Sequence, residues 1–110
     1  MTYCVELVRF TVADADVDTF LERRQEAITE VKAAHPALWS VPLCTRKTDG
    51  TWIDVWIYET RAAADAANAD VKNLPKFLAM AALIDNVEIE ATEMPTGAVS
   101  PAPIRLPVSR

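Results

Sequence analysis

Glycine and histidine are scarce in this sequence: Gly50, Gly97 and the single His35 are the complete set among 110 residues. Two isolated glycines cannot build the glycine-rich loop that cradles a nucleotide phosphate. One imidazole with two thiols, Cys4 and Cys44, falls short of a structural zinc set or a disulfide framework. No metal and no cofactor are therefore expected. Long apolar runs are also missing, since none approaches the roughly 20 residues that span a bilayer. The N-terminus lacks the basic start, apolar stretch and small-residue cleavage site of a signal peptide. Positive charge is short as well: 11 basic against 16 acidic side chains leave a net charge of -5, and the only adjacent basic pairs are Arg23-Arg24 and Arg46-Lys47. That balance repels a phosphate backbone. A cytoplasmic chain with no membrane and no nucleic-acid partner is expected.

What is present suits one soluble domain, because 51% hydrophobic and 25% charged residues match the globular average and the length is too short for two domains. Residues 2–12, rich in β-branched and aromatic types, predict a first strand. Asp14, Asp16 and Asp18 supply N-cap candidates for a helix whose apolar positions Val17, Phe20, Leu21, Ala27, Ile28, Val31 and Ala34 recur at three- and four-residue steps. Pro36 stops that helix near Ala34. Residues 38–47 and 51–59 flank Thr48-Asp49-Gly50, a hairpin signal, and Pro42 places the first of these strands at a sheet edge or on a bulge. Thr60 can cap a second helix, which Asn73-Leu74-Pro75 interrupts before a helical pattern resumes at Lys76. Residues 87–94 alternate as a fourth strand. From Pro95 to Arg110 four of the seven prolines predict an extended tail, in which Ile104, Leu106 and Val108 could serve as anchors.

The order βαββαβ predicts an α+β, ferredoxin-like domain over residues 1–94: a four-stranded antiparallel sheet in the order 4-1-3-2 with both helices on one face, followed by the tail, 95–110. In that order Cys4 and Cys44 stand roughly 9 to 10 Å apart or more, beyond disulfide reach. Along strand three Trp52, Trp56 and Tyr58 point one way while Ile53, Val55 and Ile57 point the other. Two helices cover only one of these apolar faces. A homodimer that stacks two sheets would cover the second, and the tail folding back as a lid is the alternative.

The string DGTWIDVWIYETRAAADAANA, which runs through the hairpin glycine, an aromatic-rich strand and an Ala-rich helix, resembles the antibiotic biosynthesis monooxygenase family of dimeric α/β barrels. The heme-degrading branch of that superfamily is similar too, but the positions where it carries Asn, Trp and His hold Val8, Tyr58 and Asn68 here. No axial ligand for heme iron is then offered. The cofactor-free branch, which this chain resembles in a different way, implies a phenolic substrate that is deprotonated and reacts with dioxygen. Its Asn position falls near Trp52.

On that resemblance the candidate catalytic residues are Glu6, Asp54 and Tyr58. Val8, Phe10, Trp52, Trp56 and Asn68 are the candidate substrate-binding residues, for a small aromatic or polyketide-like molecule. The even-numbered side chains of strands one and three share one face, and an apolar enclosure would raise a carboxyl pKa toward the range of a general base. Each residue also has a structural reading. The aromatics could be core or dimer packing, and Glu6 or Asp54 could pair with Arg9 or Arg46. His35 suits a helix C-terminus, Glu88, Glu90 and Glu93 suit a solvated edge, and Phe77, Met80 and Leu83 suit the core. The two functions in view are a cofactor-independent monooxygenase and a non-catalytic dimeric ligand-binding or accessory protein.

Overall fold

A computed structural model of the chain describes residues 2–102. Strand β1 (Thr2–Val12) leads through a 3-10 turn at Asp14–Asp16 into helix α1 (Val17–Ala34). Strands β2 (Leu38–Arg46) and β3 (Trp52–Tyr58) follow, then helix α2 (Arg61–Asp70), a 3-10 turn at Val71–Asn73, helix α3 (Pro75–Ala81), strand β4 (Ile84–Pro95) and a last turn at Thr96–Ala98. The sheet order is β2-β3-β1-β4, all pairs antiparallel, so the expected ferredoxin-like arrangement is present. Ile104, Leu106 and Val108 lie outside the described residues.

Local chemistry accounts for the boundaries, with a few departures from the expected ones. Asp16 stands at the N-cap of α1 without a side-chain bond to the helix, because the 3-10 turn supplies the entry instead. The Thr60 hydroxyl accepts from the Ala63 amide at 3.0 Å and caps α2. Gly50 takes the left-handed φ of 90° that the hairpin requires, and its amide donates to the Lys47 carbonyl at 3.0 Å. In edge strand β2 the register shifts between Ser40 and Leu43, around Pro42, because proline offers no ladder donor there. The interruption at Leu74-Pro75 divides the second helix as expected, but α3 ends at Ala81 and β4 begins at Ile84, three residues before the predicted start.

The helices cover the even-numbered side of β1 and β3. Phe10, Phe20, Ala27, Trp52 and Met80 form one buried cluster, and Cys4, Val31, Leu38, Trp56, Tyr58, Ala64, Ala67 and Leu74 another. On the opposite side Val5, Leu7, Ile53 and Val55 are half-buried and Ile57 is buried. Tyr3 stacks on Trp39, with ring centroids 5.1 Å apart. Among the described residues no helix is long and apolar enough to cross a membrane.

Candidate functional site

The two clusters do not close on each other. Between β1, β3 and β4 below and the α2–α3 segment above lies a cavity of about 380 Å³, within the range of small-molecule sites. Its floor is the even-numbered row of β1 and β3: Glu6, Val8 and Phe10 beside Asp54, Trp56 and Tyr58. Asn68, Val71, Phe77 and Met80 form the roof, Phe20 closes one end, and Val87 and Ile89 of edge strand β4 form the mouth. Those two β4 side chains are about half exposed, 47% and 54%, because no helix among the described residues reaches over that edge of the sheet.

Two carboxylates stand on this apolar floor in different settings. Glu6 is 5% exposed, and its Oε2 accepts from the Asn68 Nδ2 at 2.8 Å. Burial raises its pKa above the ordinary 4.5, against the opposing effect of the Asn68 bond. Tyr58, one position along the floor, has its phenol pushed up by burial and by the Glu6 charge, so it remains protonated at neutral pH. Asp54, 2% exposed, is held by both ends of the Arg24 guanidinium, Nε to Oδ2 at 2.9 Å and Nη2 to Oδ1 at 2.8 Å. Oδ1 also accepts from the Val55 amide at 3.1 Å.

No protein-family model matches the sequence, and no curated protein matches it. Solved structures do. An asparagine-to-alanine variant of SnoaB, a cofactor-independent oxygenase from Streptomyces nogalater, superposes with a TM-score of 0.61 at 20% identity over 91% of this chain and 98% of that one. A protein from Caulobacter crescentus provisionally described as an antibiotic biosynthesis monooxygenase gives 0.66 at 17% identity, over 82% and 87%. A nipsnap family protein of unknown function from Agrobacterium tumefaciens gives 0.61 at 12% identity, over 84% and 87%. The chain has the antibiotic biosynthesis monooxygenase-like fold.

Within this monooxygenase-like fold, seven of the eight expected site residues line the cavity: Glu6, Val8, Phe10, Asp54, Trp56, Tyr58 and Asn68. Trp52 does not. Its ring packs edge-on against Phe20, 5.8 Å between centroids, and carries the Arg46 guanidinium 5.0 Å above it, because β3 runs past the end of the cavity. The expected partners of the carboxylates also change: Arg9 pairs with Glu90 at 3.2 Å on the other face of the sheet, and Arg46 stacks on Trp52. Arg24 is the partner of Asp54. His35 stands at the C-cap of α1, as expected, and its ring is tied to Asp70, Nε2 to Oδ2 at 2.8 Å.

Arg24 and the roof residues Val71, Phe77 and Met80 were missed as site residues, and the signal for Arg24 was available. Phe20, Ala27 and Val31 are buried on α1, and position 24 falls in the same stripe, where a guanidinium needs a partner. Phe77 and Met80 are core residues as expected and in addition wall the cavity. Both thiols are free. Burial pushes the Cys44 thiol up to about 12, aided by the Asp54 charge, and also raises Cys4. Neither is a ready nucleophile.

Proposed function

We propose that this protein is a cofactor-independent monooxygenase for a small aromatic or polyketide-like phenol, acting as a homodimer. The observation that carries this reading is the Glu6 carboxylate, enclosed in an aromatic-lined cavity and bonded only to Asn68 among the described residues. A carboxylate with a raised pKa, oriented by an amide, is suited to accept a proton near neutrality. The fold shared with a cofactor-independent oxygenase supports the same chemistry. In the proposed reaction Glu6 takes the acidic proton of the substrate, and the resulting electron-rich anion reduces dioxygen, forming a C–O bond to a peroxide anion that takes the proton back from Glu6 and becomes a hydroperoxide. Loss of water from that hydroperoxide leaves a carbonyl, so one oxygen atom enters the product and the other departs in water. Tyr58, protonated, offers its O–H to the negative oxygen as it forms. Trp56 and Phe77, in edge-to-face contact at 6.3 Å, would stack on the ring system. Asp54 is not assigned the base role, because both of its oxygens are engaged by Arg24.

Phenols should quench tryptophan fluorescence saturably and consume dioxygen in the presence of the protein. Glu6→Gln should lower the oxygen-uptake rate by about a hundredfold or more while binding persists, and Trp56→Ala should weaken binding. An unchanged rate in Glu6→Gln would remove the assigned base. Saturable binding without oxygen uptake by the wild type would favour the non-catalytic ligand-binding protein.

A further inference from the structure

The proposed reaction uses one carboxylate, yet the cavity floor carries two. Asp54 costs the fold a buried guanidinium to balance it: the Arg24 and Asp54 side chains are 13% and 3% exposed, a depth at which well-packed apolar residues would often serve stability as well. Asp54 nevertheless lines the cavity, whereas Arg24 does not. Its oxygens are unequally occupied among the described residues. Oδ1 accepts from both Arg24 Nη2 and the Val55 amide, while Oδ2 accepts only from Arg24 Nε. A carboxylate oxygen has two acceptor positions, so Oδ2 retains capacity for one further donor.

We infer that Asp54, held by Arg24, is a specificity-determining acceptor for a second hydroxyl on the substrate, so that the preferred ligand is a fused-ring aromatic with two hydroxyl groups. This rests on the oxygenase reading for the first of them. In the ladder Glu6 faces Trp56 and Val8 faces Asp54, which makes Glu6 and Asp54 diagonal neighbours with Cβ atoms about 7 Å apart. The floor between and around them is Val8, Phe10 and Trp56, with Phe20 and Phe77 among the walls. A flat ring system lying on that floor can therefore present one oxygen to each end. Glu6 has a single neutral amide for a partner and can exchange a proton. Asp54 is neutralised and oriented by a guanidinium and can discriminate without reacting. A ligand lacking the second donor leaves a desolvated acceptor unmatched, the situation in which a polar site rejects its analogue most strongly.

The test compares, on the wild-type protein, the dissociation constants of dihydroxynaphthalene isomers with those of their monomethyl ethers and of the naphthols. For at least one isomer, blocking or removing the hydroxyl remote from Glu6 should weaken binding about tenfold or more. The paired replacement Arg24→Met with Asp54→Leu, which removes both charges together, should bring that ratio close to one. Ratios within about twofold for every isomer on the wild type, or a preference that survives the paired replacement, would overturn the assignment to Asp54. Naphthols that bind and consume dioxygen with no gain from a second hydroxyl would leave the oxygenase reading standing and sink this inference alone. No binding by any member of the series would remove both.

Discussion

Glu6 and Asp54 are separated by one step along adjacent strands, and the difference between them is made by what lies behind each. Glu6 is bonded to a neutral amide on α2, whereas Asp54 is held at two points by a guanidinium from α1. The raised pKa of Glu6 has a consequence for stability. In the window above 4.5 the folded chain retains a proton that the unfolded chain has released, so stability falls as the pH rises through the folded pKa. Glu6→Gln has no group that titrates at that position. Its melting temperature should gain on the wild type as the pH is raised from about 4 to about 8. A difference between the two proteins that stays constant across that range, followed by calorimetry, would show that Glu6 titrates as an ordinary surface carboxylate.

At the scale of elements the roof of the cavity depends on a contact with α1. Helix α3 starts at Pro75, which has no amide hydrogen, and its N-cap Leu74 has no side chain able to cap. Glu30 on α1 supplies the acceptors instead: Oε2 takes the Lys76 amide at 3.2 Å and Oε1 the Phe77 amide at 3.0 Å. Lys76 Nζ reaches Glu26 at 3.4 Å on the same helix. Because α3 carries Phe77 and Met80 into the roof, Glu30 is a positioning residue for the cavity. Glu30→Ala should cost about 1 kcal/mol in urea unfolding, as the loss of a cap does, and should loosen phenol binding in parallel. Glu30→Gln keeps an acceptor and should recover part of both. An alanine variant with unchanged binding would separate the cap from the site.

At the scale of the whole molecule, one face of the sheet is covered by helices and the other, among the described residues, is not. Val5, Leu7, Ile53, Val55 and Ile57 make that second face apolar, and the Tyr3–Trp39 stack extends it. A patch of this kind on a monomer is unusual, which supports the proposed pairing of two copies. Sedimentation equilibrium at micromolar concentration should return twice the 12.1 kDa of the chain, and Val55→Glu should convert the protein to monomer by placing a charge at the centre of the contact. A wild-type mass of one chain would remove the dimer.

The succession of elements was written locally and could be read without the structure. Asp49-Gly50, Pro36, Thr60 and Leu74-Pro75 mark their boundaries through backbone preferences that act over a few residues, and period-two alternation in β1 and β3 assigns their side chains to faces. The floor of the cavity was legible for the same reason, since adjacency of two antiparallel strands follows from their order. Only the tertiary structure decided the remainder. Arg24 rather than Arg9 or Arg46 meets Asp54, because that pairing depends on how α1 lies across the sheet. Trp52 leaves the cavity because its ring is taken up by Phe20 of α1 and Arg46 of β2, and Glu30 caps a helix that starts 45 residues further along the chain, at Pro75. These contacts join residues far apart in sequence, and their geometry is set by packing between elements rather than by any preference within one.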